Sequence, residues 1–161
     1  MSTAGEIQIR EAGPGDAEAV ARVLYEAFVE FRVLYTDGGF AATTPNAEEI
    51  RIRMAEGPVW LGLRDDTAMG TVAAVVKGSR LYMRGMAVLP SARGLGIAAR
   101  LLEQVEERAR REGCGSVFLS TTPFLSGAIR LYERAGFRRS GEGPFELGGT
   151  PLFTMEKNIG D

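Results

Sequence analysis

The chain has 161 residues, 45% hydrophobic and 25% charged, a composition that is typical of one globular domain with its own core. The 19 Lys and Arg against 21 Asp and Glu give a formal net charge of −2, without the basic excess of a nucleic-acid-binding domain. Histidine is absent and cysteine occurs once, which excludes Ser-His-Asp and Cys-His catalysis, His-based and cysteine-rich metal sites, and an intrachain disulfide.

Nothing in the sequence indicates secretion or membrane insertion. Residues 1–6 contain neither a basic stretch nor an apolar stretch, so we expect no signal peptide there. No apolar run approaches the roughly 18 residues that would indicate a membrane-spanning helix. A single cysteine also suits a reducing compartment. We therefore predict one cytoplasmic domain over residues 1–161, with no membrane and no nucleic acid among its partners.

Hydrophobic periodicity predicts a strand and two helices in the first third of the chain. Residues 7–10 alternate between apolar and polar and predict a strand. Asp16 can cap a following helix, whose apolar residues recur at helical spacing and are expected to pack in the core: Val20, Val23, Leu24, Ala27, Phe28 and Phe31. Residues 35–45, rich in Gly and Thr, predict a loop, and residues 47–55 a short helix.

Three strands are predicted next, at residues 59–63, 70–77 and 81–88. Asp65 and Asp66 form the turn between the first two, and Gly85 interrupts the third, where we expect a β-bulge.

The second half contains the strongest helical pattern, residues 94–112, which Gly113 ends. The remaining predicted elements are a strand at 116–120, a helix at 126–135, and strands at 137–140 and 152–157. Residues 141–151 predict a long loop that is a candidate for dimer contact or for substrate binding. Strands and helices in this order predict a mixed α/β sheet.

A glycine-rich loop joins the third of these strands to the long helix. Gly94 and Gly96 let the backbone approach a ligand closely, and the free amides of the first helical turn lie at the positive end of the helix dipole. This pattern predicts a seat for a phosphate or pyrophosphate, to which Arg93 can add a charge-assisted contact. A P-loop lysine and the third glycine of a dinucleotide fingerprint are both missing, so a generic nucleotide-binding domain is the weaker interpretation.

Two motifs resemble those of the GCN5-related N-acetyltransferase (GNAT) superfamily. The family's Arg/Gln-x-x-Gly-x-Gly/Ala motif, at the start of the helix after the fourth strand, reads here Arg93-Gly94-Leu95-Gly96-Ile97-Ala98. The family's Leu-Tyr-x-x-x-Gly-Phe helix end reads here Leu131-Tyr132-Glu133-Arg134-Ala135-Gly136-Phe137. The resemblance covers nearly the whole chain by element order and is sharpest over residues 81–137.

The resemblance implies a GNAT-like fold, a mixed and mostly antiparallel sheet of about seven strands, flanked by about four helices, with strands four and five splayed. It implies acetyl-CoA as the acyl donor, no metal, and direct transfer of the acetyl group to a primary amine. Because the chain is short and shows no second domain, a small molecule is the default acceptor, with a protein N-terminus or a lysine side chain as the alternatives. The alternative on the same fold is a non-catalytic acyl-CoA-binding sensor or accessory module.

The resemblance also assigns residues to the donor. Tyr132 matches the family's usual general acid, which protonates the departing thiolate. The implied donor-binding residues are Met86, Ala87, Val88, Arg93, Gly94, Leu95, Gly96, Ile97, Ala98 and Ser126. Leu125 stands where many relatives carry an Asn that bonds the pantetheine arm, and Ser126 or Ser120 is the proposed substitute.

The acceptor side is less specified by the sequence. Its candidate residues are Glu30, Tyr35, Phe40 and Arg84. An aromatic and acidic lining suits a cationic amine, whereas Arg32 and Arg84 suit an acceptor that carries a carboxylate, so the charge of the acceptor stays open. A general base is not evident; Glu26, Glu30, Asp37 and a water chain are the candidates.

Overall fold

The computed structural model describes residues 6–160. Residues 1–5, which belong to the segment used to predict the absence of a signal peptide, lie outside the described residues. Within that range the strands are β1 (Ile7–Glu11), β2 (Val59–Arg64), β3 (Thr67–Lys77), β4 (Arg80–Val88), β5 (Ser116–Thr121), β6 (Arg138–Arg139), β7 (Phe145–Leu147) and β8 (Thr150–Asn158). The α-helices are α1 (Ala17–Phe28), α2 (Asp37–Thr43), α3 (Ala47–Glu56), α4 (Ile97–Arg111) and α5 (Ser126–Arg134).

One sheet in the order β1-β2-β3-β4-β5-β8-β6 organises the described chain, with β7 paired to β8. The described strand pairs are antiparallel except β4 with β5. That parallel pairing covers only Arg80–Tyr82 of β4 against Ser116–Phe118 of β5, after which the two strands separate. The predicted fold class and the splay of strands four and five are therefore confirmed.

Helices cover the two faces of the sheet. Helices α1 and α3 pack on one face and α4 on the other. The close approach of α4 requires glycine in the strands beneath it, because a Cβ on Gly62 or Gly70 would lie 2.7 or 2.8 Å from Cγ2 of Ile97. Burial of the apolar stripes, with Leu24 of α1 and Leu101 of α4 almost fully enclosed, provides the main driving force for this packing.

Two segments that the sequence predicts as loops are ordered elements. Helix α2 forms within residues 35–45 because the Thr36 side chain caps it, accepting a hydrogen bond of 2.9 Å from the amide of Gly39. Strand β7 forms within residues 141–151 because Gly148 and Gly149, at φ of 56° and 92°, turn the chain back into β8.

Asp16 occupies the predicted cap position of α1 but bonds elsewhere. Its carboxylate accepts hydrogen bonds from the amide of Gly13 at 2.8 Å and from both terminal nitrogens of Arg10 at 2.9 and 3.0 Å. The side-chain bonds from Arg10, followed by the amide of Gly13, lower the pKa of Asp16 to about 2. Asp16 thus ties β1 to the turn before α1 instead of capping the helix.

Candidate active site

The loop between β4 and α4 has the geometry that its glycines predict. Gly94 and Gly96 have φ of 84° and 82°, the left-handed region that favours glycine, and α4 begins only at Ile97, three residues later than its predicted start at residue 94. The amide of Arg100 bonds the carbonyl of Gly96 at 3.2 Å, which leaves the amides of residues 97–99 without an acceptor inside the helix. Nothing lies within 4 Å of a Cβ built on either glycine, so this surface faces open space.

A groove of about 580 Å³ is lined by this loop, by the part of β4 that does not pair with β5, and by α5. Most of the residues predicted to bind the donor line it, together with Tyr132: Met86, Ala87, Val88, Arg93, Gly94, Gly96, Ile97 and Ala98. Leu95 and Ser126 are exposed and do not line it, although the neighbours of Ser126, Leu125 and Gly127, do. The structure therefore brings residues of both sequence motifs into the lining of one groove.

The edge of β4 that lines the groove contains a β-bulge. Between Thr71–Ala87 and Ala73–Arg84 the register gains one residue on β4, and Gly85 there has φ of 63°. The predicted bulge is thus present. Beyond Tyr82, β4 has no pairing to β5 among the described residues, so Met86, Ala87 and Val88 present an unpaired edge to the groove.

Tyr132 lines the groove from α5. The residue is 5% exposed, and its ring packs against Phe137 with 5.9 Å between centroids. Burial raises the pKa of Tyr132 well above that of a solvated phenol, and the Tyr35 phenol adds to this shift. The hydroxyl is consequently protonated at neutral pH and can act as a hydrogen-bond or proton donor.

The aromatic residues of the first half are arranged differently from the prediction. Phe28 and Phe31, expected in the core, line the groove, because α1 ends at Phe28 and the chain continues as the tighter 3-10 helix Val29–Leu34. Tyr35 and Phe40, expected on a loop that lines the site, are buried in an aromatic cluster with Phe124. Burial raises the pKa of Tyr35, although the hydroxyls of Thr43 and Thr122 act in the opposite direction.

The acidic candidates lie at arginines or at the surface. Glu26 pairs with Arg22 at 3.2 Å, and Glu30 pairs with Arg93 of the glycine-rich loop at 2.6 Å. Asp37 is exposed in the first turn of α2. The described residues that line the groove include no carboxylate, so none of them can serve as a carboxylate general base there.

The segment after α1 is joined to the β7–β8 hairpin by a hydrogen-bonded contact. Thr150 Oγ1 accepts from the amide of Thr36 at 3.0 Å and lies 2.9 Å from Thr36 Oγ1, which donates to the carbonyl of Gly148 at 2.6 Å. A Cβ on Gly39 would lie 2.1 Å from Thr150 Oγ1, so the two backbones approach as closely as glycine allows. We call this contact the Thr36–Thr150 latch.

Replacing Thr150 by valine should loosen the latch. The change keeps the shape of a side chain that is 1% exposed but leaves the Thr36 amide without its acceptor. We expect the free energy of unfolding, measured by denaturant titration, to fall by about 1–3 kcal/mol. Thr67→Val, at an exposed threonine of β3, is the control, and equal effects of the two changes would show that the latch contributes nothing.

Arg53 is the residue near the site that sequence reasoning missed. It lies on α3, and its Nη1 is 3.2 Å from a Cβ position on Gly85, at the bulge. Arg84, a predicted acceptor residue, lies beside it on β4 and pairs with Glu56 of α3. No local sequence signal marks Arg53, because the contact joins residues from separate elements.

Residues 6–160 contain no helix that combines the length and the apolar character needed to cross a membrane.

Comparison with known proteins agrees with this geometry. Residues 21–137 match the family model of the acetyltransferase (GNAT) family. The N-acetyltransferase YjgM of Escherichia coli K12 is 32% identical over 128 residues, which cover 76% of each chain. Streptothricin acetyltransferase of Streptomyces lavendulae is 29% identical over 152 residues, 81% of this chain and 80% of its own.

The fold comparison gives the same result. The PaiA N-acetyltransferase of Thermoplasma acidophilum, solved in complex with coenzyme A, superposes with a TM-score of 0.81 at 17% identity, covering 95% of this chain and 99% of its own. At that identity the likeness shows the shared fold alone. The family match over most of the chain, with both motifs on one groove, shows that this protein belongs to the GNAT family and is an N-acetyltransferase.

Proposed function

We propose that the protein transfers the acetyl group of acetyl-CoA to the primary amine of a small molecule, by direct attack within a ternary complex. The observation that carries this proposal is the groove beside the unpaired part of β4, whose lining includes both the glycine loop and Tyr132. A linear thioester donor would place its phosphates at the loop and its reactive carbon near Tyr132.

The donor would be held mainly by backbone groups. The amides of the loop at residues 93–98 and of the first turn of α4 would bind the pyrophosphate, with the helix dipole favouring its negative charge. Met86, Ala87 and Val88 would pair with the pantetheine arm as an added strand. Leu125 lines the groove but has no hydrogen-bonding side chain. The hydrogen bonds to the pantetheine arm would therefore come from the backbone of the β4 edge.

The chemistry would need three contributions around the thioester. An amide of the free β4 edge would polarise the carbonyl and stabilise the negative oxygen that forms on it. The neutral amine would attack the carbonyl carbon, the carbon–sulfur bond would break, and Tyr132 would supply the proton to the departing sulfur. Because the described groove lining contains no carboxylate, we assign water as the base that takes the proton from the amine.

The Thr36–Thr150 latch supports a small acceptor. It ties the segment after α1 to the β7–β8 hairpin, and in this proposal these two segments wall the acceptor site and limit the room for an extended polypeptide. The name of the streptothricin acetyltransferase, which matches four fifths of this chain, denotes a small-molecule acceptor for that protein.

The proposal is tested by thermal unfolding with acetyl-CoA and coenzyme A, with ATP and NAD as controls, followed by an amine screen for coenzyme A release. A ligand that binds only the folded state stabilises it by about 2.7 kcal/mol at 100 times its dissociation constant. A shift with coenzyme A species alone is expected. No shift, or a shift with ATP or NAD only, would contradict the proposed donor.

Glu30→Gln should tighten donor binding. In the structure the Glu30 carboxylate holds the Arg93 guanidinium at the edge of the loop and places a negative charge near the proposed phosphate seat. Because both side chains are about half exposed, we expect only a two- to fivefold lower dissociation constant, on the order of an exposed ion pair. Calorimetric titration at low salt measures the dissociation constant for acetyl-CoA, with Glu26→Gln as the control. Weaker binding in Glu30→Gln would show that Glu30 positions Arg93 for the donor.

A further inference from the structure

Buried side-chain atoms without a hydrogen-bond partner among residues 6–160 occur next to the splayed strands. Arg84 Nε is one of them and lies on β4, beyond the last residue that pairs with β5. Thr154 Oγ1 is another and lies on β8, opposite Ser120 of β5. The hydroxyl of Thr122, which directly follows β5, interacts instead with the Tyr35 phenol. Buried polar groups are normally paired, so the unpaired nitrogen of Arg84 indicates a place where a polar ligand completes the bonding.

The same region holds two arginines side by side. Arg53 is largely desolvated, which together with the charge of Arg84 lowers the pKa of its guanidinium. The hydrogen bond that the structure gives Arg53 is a long one, 3.5 Å from Nη2 to the carbonyl of Ala42. Arg84 donates to Glu56 through Nη2 while its Nε stays unpaired. Guanidinium donors are therefore present in excess of their acceptors.

The charges around this pair are positive in sum. Three cations, Arg53, Arg84 and Lys77, stand against two carboxylates. Glu56 pairs with Arg84, and Glu49 acts on Arg53 while it caps α3 by accepting a hydrogen bond of 3.0 Å. Two like-charged guanidiniums in a partly buried site repel each other, and this repulsion is relieved when an anion binds between them. A carboxylate matches the forked donors of arginine in both charge and shape.

The location of the pair connects it to the reaction. Arg53 Nη1 lies 3.2 Å from a Cβ position on Gly85, and the next residue, Met86, begins the free edge of β4 that lines the groove. A residue of extended strand spans about 3.3 Å, so an anion on Arg53 would be within a short distance of the proposed thioester position. Of the acidic candidates, Glu26 and Glu30 are paired with arginines at the surface, and Asp37 is exposed in the first turn of α2.

We infer that the acceptor is an amine that also carries a carboxylate, as an amino acid does, and that Arg53 and Arg84 bind this carboxylate beside the β4 bulge. This inference rests on the proposed function and names the substrate class of its acceptor. The guanidiniums anchor the carboxylate, and the short amine arm of the same molecule reaches the end of the donor groove. The rings of Tyr82 and Phe118, with 5.1 Å between their centroids, stack at the last residue pair before β4 and β5 separate.

The test compares acceptors that differ only in the carboxylate. Coenzyme A release is measured with the standard amino acids, with their methyl esters and with the matching decarboxylated amines, phenylalanine against phenethylamine being one such pair. We expect at least one carboxylate-bearing amine to be acetylated with kcat/KM about tenfold or more above its matched partners. Transfer to no carboxylate-bearing amine, or equal kcat/KM within every matched pair, overturns the inference.

Variants connect the preference to the two arginines. Arg53→Gln and Arg84→Gln should each raise KM for the carboxylate-bearing acceptor about 10- to 100-fold, with the affinity for acetyl-CoA and the KM for a carboxylate-free amine unchanged. Arg84→Lys keeps the charge but removes Nε, and should show part of the loss while preserving the pair with Glu56. Arg51→Gln, on the same helix but paired with Glu18 at the surface, is the matched control and should change neither constant.

The failure of this inference is distinguishable from failure of the proposed function. Thermal shift by acetyl-CoA reports the donor site without any acceptor, so a normal shift with no carboxylate preference overturns the acceptor class alone. The absence of any shift by coenzyme A species would contradict the proposed function itself. Equal losses of kcat/KM for acceptors with and without a carboxylate in both glutamine variants would show that the arginines have only a structural role.

Discussion

A Gly96→Val variant should bind acetyl-CoA at least about 100-fold more weakly than the unchanged protein. Gly96 has φ of 82° and stands immediately before α4, where a β-branched residue is strained by roughly 1–3 kcal/mol. Relief of that strain by rotation to negative φ would turn the amides of residues 95–97 away from the groove. The loss of two charge-assisted hydrogen bonds to the pyrophosphate is enough to weaken acetyl-CoA binding by about 100-fold.

The loss of binding must be separated from the cost of backbone strain. Gly78 offers a matched control, because it also has positive φ, at 61°, and also has nothing within 4 Å of a built Cβ, but it lies in the β3–β4 turn. Gly78→Val should lower the free energy of unfolding by a similar amount and leave the dissociation constant for acetyl-CoA unchanged. Calorimetric titration of both variants decides the matter, and unchanged affinity in Gly96→Val would show that this loop does not hold the donor.

The elements that the sequence predicts correctly are those whose signals are local. Helix α4 follows from an apolar stripe and from Gly113, whose φ of 72° ends it. The β2–β3 turn follows from Asp65 and Asp66, both of which have positive φ, as a tight hairpin requires. In each case the residues that decide the conformation lie within a few positions of it.

The elements that were missed depend on partners far away in sequence. Helix α2 contains Gly38 and Gly39, which are poor helix formers, and it is stabilised by contact with the β7–β8 hairpin more than a hundred residues later. Strand β7 is short, yet the Gly148-Gly149 pair that precedes β8 is a recognised hairpin signal and could have predicted it.

The same distinction applies to the site. The glycine-rich loop and Tyr132 are contained in contiguous motifs, so the sequence predicts them, and both line one groove. Arg53 approaches Arg84 only because α3 packs over the β4 bulge, and Phe31 reaches the groove only because α1 continues as a 3-10 helix. Such placements follow from tertiary packing, which no pattern within one segment contains.

Tyr132→Phe should reduce kcat by about 10²- to 10⁴-fold while leaving the affinity for acetyl-CoA unchanged. The substitution keeps the ring that packs against Phe137 and removes only the hydroxyl that we assign as the proton donor to the departing thiolate. Steady-state kinetics, with donor binding measured separately, tests this. Tyr25→Phe is the matched control, since Tyr25 is 47% exposed and the same hydroxyl is removed outside the groove.

The pH dependence of the reaction gives an independent test of the same role. Burial raises the pKa of Tyr132 above the ordinary value of about 10, so the phenol remains protonated, and able to donate, throughout the usual assay range. We expect kcat/KM to rise with pH as the acceptor amine loses its proton, then to level off with no decline below about pH 10. Tyr132→Phe should lower this profile without changing its shape. A decline between neutral pH and pH 9 that disappears in Tyr132→Phe would mean that the pKa of this phenol is lowered in the working enzyme, and unchanged kcat would show that the proton reaches the sulfur from another group.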